Sequence, residues 1–345
     1  MRKITLLVLS VLSAGFMAIG QNLQSENFDA LNVGNVGTDI NGTVGGQNGW
    51  FTLATPGGQN SDFQIINEGG SQGLILQITG ASNDASAHYT WQNGLSSAWS
   101  ARTAGNNIIE VEYDFYSGST TSSLSSSDMR LYNSDYSIII GGYSFDPQTM
   151  VLSAIAHFDP GPGPDPVGPY LFYLGAGNTD LVLSPNTWYR VGFAFNKTTG
   201  ECIWKGPGYY GSLSGAATGI DPFEVDFAVI PFEFNAVSAI AKFDALTVKA
   251  TNIENLLGIE DIENSLLPSI KLFPNPTEGM LNLTVSNNVK LTNLEVIDVN
   301  GRVIKSFLVN EFSNSEINIS ELNSGYYLLK IYSSEGKFTK GFIKE

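Results

Sequence analysis

The chain has one cysteine, two histidines and little charge. Only 14% of its 345 residues are charged, against about a quarter in a typical soluble domain. The lone Cys202 excludes an internal disulfide framework and any zinc site built from several cysteines. His88 and His157 leave little room for histidine-rich metal or triad chemistry. Basic residues are scarce too, 17 against 33 acidic ones, for a formal net charge of −16. Such a balance repels phosphate, which argues against nucleic-acid binding and against docking on anionic membranes. Long apolar runs are also missing: past the first twenty residues nothing approaches the ~18 needed for a membrane-spanning helix. What the chain does have is 37 glycines, 20 phenylalanines, 14 tyrosines and five tryptophans. At about 150 residues per domain its length suggests two.

The first twenty residues read as a signal peptide. Arg2 and Lys3 precede the short apolar run 4–12, and Ala18-Ile19-Gly20 supplies a small-x-small end before Gln21. That order predicts cleavage between Gly20 and Gln21. Residue 21 is not cysteine, so no lipoprotein anchor is expected there. Charge then divides the rest unevenly. From 271 to the end there are eight basic and eight acidic residues, and the signal holds two basic ones. Residues 21–270 therefore keep 7 basic and 25 acidic residues, a net of −18.

Residues 271–345 alternate in the manner of short strands separated by turns. Leu281, Leu283 and Val285 alternate with polar residues, and Asn300-Gly301 is a hairpin signal because both residues tolerate positive φ. Pro274 and Pro276 cannot donate ladder hydrogen bonds, so the stretch around them must be an extended or turning entry segment. Six or seven short strands in this length predict a small antiparallel sandwich. Between it and the acidic region, residues 253–270 lack periodicity and read as a linker.

The C-terminal residues also carry a family resemblance. Leu272-Phe-Pro-Asn-Pro-Thr-Glu-Gly279, Asp298-Val-Asn-Gly-Arg-Val303, Ile319-Ser-Glu-Leu-Asn-Ser-Gly-Tyr-Tyr327 and the terminal Lys340-Gly-Phe-Ile-Lys344 together resemble the type A sorting domain of the type IX secretion system. The resemblance implies an immunoglobulin-like sandwich whose motif residues are Pro274, Asn275, Pro276, Gly279, Gly301, Leu322, Gly325, Tyr326 and Lys344. It also implies passage through the periplasm, recognition by an outer-membrane translocon and a sortase-like peptidase, and a final place in the medium or on the cell surface.

The acidic region 21–252 shows about a dozen strand-like runs bounded by Gly, Ser, Asn and Pro, with no amphipathic helix of three turns and no internal repeat. A large antiparallel, jelly-roll-like sandwich is predicted, making the whole chain all-β. In Ile109-Glu-Val-Glu-Tyr-Asp-Phe115 the apolar residues share one face and Glu110, Glu112 and Asp114 the other. In 188–195, Arg190, Gly192 and Ala194 oppose Tyr189, Val191, Phe193 and Phe195; the small residues could floor a groove or accept a packed loop. Gly46-Gln-Asn-Gly-Trp50, Val111-Glu-Tyr-Asp-Phe115, Asn186-Thr-Trp-Tyr-Arg190 and Phe243-Asp-Ala-Leu-Thr-Val248 resemble pieces of the concanavalin A-like lectin and glucanase sandwich.

Three kinds of chemistry are then open. That resemblance implies that Glu110, Glu112 and Asp114 could match a glucanase catalytic strand, although Glu112 and Asp114 depart from its Glu-x-Asp-x-Glu pattern; a solvated strand face is the simpler reading. A structural calcium could use Asp159 and Asp165 around the proline-glycine segment between them, or Asp221, Glu224 and Asp226, since hard cations take carboxylate and carbonyl oxygens; no other cofactor is expected. Trp91, Trp99, Tyr209 and Tyr210 lie in or beside polar loops where rings could stack on sugars. His157 reads as a satisfied core histidine and Cys202 as an inert strand thiol. The expectation is a secreted or cell-surface protein whose cargo binds polysaccharide or mediates adhesion without catalysis. A glycoside hydrolase or lyase, and a structural surface component, are the alternatives.

Overall fold

The computed structural model describes residues 20–257, 271–284, 291–298, 302–308, 316–333 and 336–345. The signal peptide up to residue 19, most of the linker and Gly301 lie outside the described residues. Contacts divide the chain into two compact units, Met1–Gly258 and Ile259–Glu345.

The first unit opens with β1 (Gln21–Glu26), β2 (Gly34–Asn35), β3 (Trp50–Leu53), β4 (Phe63–Gly69), β5 (Gly73–Thr79) and β6 (His88–Gln92). A short helix, α1 (Leu95–Ser100), follows. Then come β7 (Ile108–Tyr116), β8 (Ser125–Tyr132), β9 (Ile139–Asp146), β10 (Val151–Phe158), β11 (Gly168–Phe172) and β12 (Leu181–Val182). The unit closes with β13 (Trp188–Asn196), β14 (Glu201–Gly206), β15 (Tyr209–Leu213), β16 (Glu224–Pro231) and β17 (Ile240–Thr251). Two antiparallel sheets result. The first has the order β15-β14-β13-β7-β17-β5-β4-β2, with β1 also paired to β17. The second runs β11-β10-β9-β8-β16-β6-β3, with β12 paired to β10.

The core lies between the sheets and is strongly aromatic. Ile109, Val111, Tyr113 and Phe115 of β7 all enter it, as their alternation predicts. Phe227 on the second sheet stacks on Phe243 of the first, ring centroids 4.3 Å apart, a geometry worth about 0.5–1.5 kcal/mol beyond area burial. Trp204 donates its indole N–H to the Gly142 carbonyl at 2.7 Å, so even this large side chain leaves no polar atom unmet.

β9 departs from the sequence expectation. Gly141-Gly142 reads as the end of a strand over 137–140, yet the strand runs on through both glycines to Asp146. Their small size serves close packing rather than a turn. A Cβ at Gly141 would stand 2.3 Å from the Phe193 ring, and one at Gly142 would stand 1.9 Å from the Met129 carbonyl oxygen.

The second unit contains β18 (Lys271–Phe273), β19 (Met280–Thr284), β20 (Leu291–Ile297), β21 (Val303–Leu308), β22 (Glu316–Asn318), β23 (Gly325–Ser333) and β24 (Gly336–Lys344). They form a three-stranded sheet, β18-β19-β22, and a four-stranded one, β21-β20-β23-β24. Leu281, Leu283, Val296, Ile317, Leu329 and Phe342 are among its core residues. Among the described residues no helix is long and apolar enough to cross a membrane.

Candidate functional site

The carboxylates of β7 stand on the outer face of the first sheet, but that face is covered. After β17 the chain turns back across it, and Leu256 packs against Ile108, Ala194 and Ile203. The covering strap comes from residues read as linker in the sequence, and it lies over the small residues of β13. A Cβ at Gly192 would meet Leu256 at 3.0 Å and Leu257 at 3.3 Å, so the small face accepts a packed segment and is not a groove floor. Asn255 donates its backbone N–H to Glu110, and Leu257 donates its own to Glu112 at 2.9 Å. Thr251 also donates to Glu110, and Lys205 pairs with Glu254 at 2.7 Å. Register places Arg190 opposite Asp114, from which its guanidinium reaches Glu112 at 3.1 Å and Asp114 at 3.3 Å. Burial pushes the Glu110 carboxyl up to about 7, the bonds from Asn255 and Thr251 opposing it. These three acids therefore brace a strap and an arginine; with Glu110 only 1% exposed, no substrate reaches it.

The outer face of the second sheet is different in kind. Pairing of β16 with β8 and β6 sets Asp226 opposite Arg130 and Trp91, Ala228 opposite Asp128 and Tyr89, and Glu224 opposite Tyr132. All of these point away from Val225, Phe227, Met129 and Leu131, which fill the core. Arg130 grips Asp128 Oδ2 through Nε at 2.8 Å and Nη2 at 2.6 Å, and Asp128 itself is fully buried. Glu224 and Asp226 lie within hydrogen-bond reach of one another. Burial pushes Glu224 up to about 7, and burial together with the neighbouring Glu224 charge pushes Asp226 well above the carboxylate range. Burial and the closeness of two like charges both favour a proton on the pair. Tyr136 reaches over from the β8–β9 turn, hydrogen-bonds Glu224 and packs edge-on against Tyr132 and Phe223. On the other side Tyr89 and Trp91 are half-buried, and Trp91 stacks on Phe51 with centroids 5.8 Å apart.

The sugar-stacking candidates do not gather. Trp91 belongs to this face. Trp99 is 1% exposed, donates its indole N–H to Asp221 at 2.8 Å and lies under the Arg102 guanidinium, so it packs and cannot stack on a ligand. Tyr209 is buried as well and donates to the Tyr143 hydroxyl at 2.9 Å. Tyr210 is 60% exposed but sits on β15 of the other sheet. Trp99 and Tyr209 have polar neighbours in sequence, and such neighbours do not report burial.

The metal candidates form no cage: Glu224 and Asp226 are neighbours, but Asp221 binds Trp99 and Lys197 instead. Asp159 accepts the Gly161 N–H in a local turn, Asp165 is exposed, and among the described residues no three acidic, histidine or cysteine side chains converge on a common point. His157 is not a core histidine. It sits on the outer side of β10, half-buried, with Nδ1 unpartnered, because Leu152, Ala154 and Ala156 take the core positions. Cys202 is fully buried, and burial raises its thiol far above the ordinary value.

In the second unit Asn275 ties the proline-flanked motif to the final strand. Its side chain donates to the Gly341 carbonyl at 3.3 Å and accepts the Ile343 N–H at 2.9 Å. Pro274 and Pro276 flank it at the surface, Leu322 joins the core, and Gly325 begins β23 beside the exposed Tyr326. A Cβ on Gly279 would press on Ser320 at 3.1 Å. Lys344 is buried beside Thr277, with which it forms a parallel bridge.

Residues 271–345 match the family described as the secretion system C-terminal sorting domain. The match marks the chain for export through the type IX system, to the cell surface or beyond it. Comparison with curated proteins finds no match. Among solved structures the chain is similar to a sialidase at 7% identity and a TM-score of 0.40, covering 67% of this chain and 19% of that one. It thus spans less than a fifth of the sialidase's length. It is also similar to cellulose-induced protein Cip1, at 11% identity and a TM-score of 0.43 over 62% and 97% of the two chains. The binding domain of botulinum neurotoxin DC, in complex with rat synaptotagmin II, shares 8% identity at a TM-score of 0.40 over 88% and 72%.

Proposed function

We propose that the first unit, carried out of the cell by its sorting domain, is a non-catalytic polysaccharide-binding module whose ligand lies across the outer face of the second sheet. One observation carries the reading: fixed planar polar groups, Arg130 with Asp128 and Glu224 with Asp226, lie between half-exposed rings on either side. A sugar offers hydroxyls, which both donate and accept, and C–H faces that lie well on aromatic rings. Guanidinium and carboxyl groups answer the first and Trp91, Tyr89 and Tyr136 the second. Preorganised side chains of this sort lose little entropy on binding.

A hydrolase is less well supported. Retaining glycosidases hold two carboxyl groups about 5–5.5 Å apart, and inverting ones hold them farther apart still. Glu110 and Glu112, the acids that would match a catalytic strand, lie beneath the strap and accept the N–H groups of Asn255 and Leu257. The test is a glycan array probed with the purified protein, together with a reducing-end assay on every glycan it retains. Binding without release, weakened about tenfold by Trp91→Ala, is expected; release of reducing ends, or undiminished binding by the Trp91 variant, would sink the reading.

A further inference from the structure

Where β1 of the first sheet passes beside β3 and β6 of the second, the surface opens into a cavity of about 420 Å³, within the ~300–1,000 Å³ usual for small-ligand sites. Its wall carries four amides, Gln24, Asn48, Gln92 and Asn93, beside the rings and aliphatic groups of Phe51 and Leu95. No charged side chain lines it. The amides are oriented by a relay. Gln24 Nε2 donates to Gln92 Oε1 at 2.9 Å, and Gln92 Nε2 donates to the Asn48 carbonyl at 2.9 Å. The Asn48 side chain then donates to the buried Glu26 at 2.7 Å. Gln24 Oε1 itself is shielded from solvent, so what the cavity offers a ligand is the rest of this ordered amide wall.

The cavity is continuous with the aromatic platform. Phe51 lines it and stacks on Trp91 with the planes 14° apart, and Trp91 donates its indole N–H to Asn93 at 3.2 Å. A chain of sugars lying on Trp91 would place a neighbouring residue against these amides. We infer that the cavity is a subsite for an uncharged hexosyl residue, and that it makes the ligand a neutral polysaccharide. Amides meet hydroxyls as both donors and acceptors, whereas a uronate carboxylate here would be desolvated with no cation to pair with. This inference rests on the binding function proposed above.

Calorimetric titration of the full-length protein with cellotetraose, laminaritetraose, mannotetraose and tetragalacturonate tests it. At least one neutral tetrasaccharide is expected to bind, with tetragalacturonate at least tenfold weaker. Gln24→Leu should weaken neutral binding about tenfold, and Asn93→Ala, at an exposed position, should weaken it severalfold with an unchanged thermal midpoint. Neutral binding that survives both substitutions but falls with Trp91→Ala would overturn the cavity while leaving the platform. Preference for tetragalacturonate would do the same, and binding of none of the four would overturn both.

Discussion

Replacing Glu110 with glutamine should change how the protein's stability depends on pH. The carboxyl is almost wholly buried beneath Leu256; one oxygen accepts from Asn255 and Thr251, and the other has no partner. Burial moves it from an ordinary value of 4.5 to about 7 in the folded chain. The folded state therefore holds its proton more tightly than the unfolded state. Below about pH 4.5 both states carry the proton. As the pH climbs toward 7 only the unfolded chain releases it, so stability falls across that window and levels off above it. The interval is about 2.5 pH units, and at ~1.4 kcal/mol each it amounts to about 3 kcal/mol. Glu224 and Asp244, both also raised to about 7 chiefly by burial, slope the wild-type curve in the same direction, so the informative quantity is the difference between wild type and variant. Guanidinium unfolding at pH 4, 5, 6, 7 and 8, followed by tryptophan fluorescence, isolates the first unit, because all five tryptophans lie within residues 50–204. Relative to wild type, Glu110→Gln should gain about 3 kcal/mol between pH 4.5 and 7 and nothing thereafter. Parallel curves would refute the argument, and a gap of the opposite sign would mean that the strap's N–H groups hold the carboxylate as an ion.

Two other outcomes rest on packing and a third on the sorting domain. Leu256→Ala should cost about 2–4 kcal/mol in the same unfolding assay, because it strips the cover from Ile108, Ala194 and Ile203. Gly142→Ala should prevent accumulation of soluble protein, since its Cβ would enter the Met129 carbonyl, whereas Gly163→Ala, with open space around it, should express normally. Deleting residues 271–345 should retain the cargo in the periplasm, as immunoblots of periplasmic and medium fractions would reveal; normal export of the shortened chain would contradict the sorting role.

Alternation made much of the fold legible. A strict polar–apolar period places Ile109, Val111, Tyr113 and Phe115 in the core, and the proline-flanked Asn275 and its companions mark the sorting domain in the sequence itself. β9 was less legible because glycine has two meanings. A pair of glycines reads as a turn when only neighbours in sequence are visible, and as a close approach once Phe193 and the Met129 carbonyl, 52 and 13 residues away, are seen to need the room.

The same limit governs the candidate sites. Period two establishes that Glu110, Glu112 and Asp114 share a face, and equally that Glu224 and Asp226 do, but it carries no information about what lies over either face. Over the first pair of glutamates lie Leu256 and Leu257, some 145 residues later, and the strap spends its N–H groups on those carboxylates. Over the second pair lies a single tyrosine from a turn, and the strands alongside contribute an arginine and half-exposed rings. Two chemically similar motifs are thus assigned opposite roles by their long-range neighbours. The acids that most resemble a catalytic strand serve to close the sandwich. Those that looked at most like a cation site stand on an open face, beside Arg130 and between half-exposed rings.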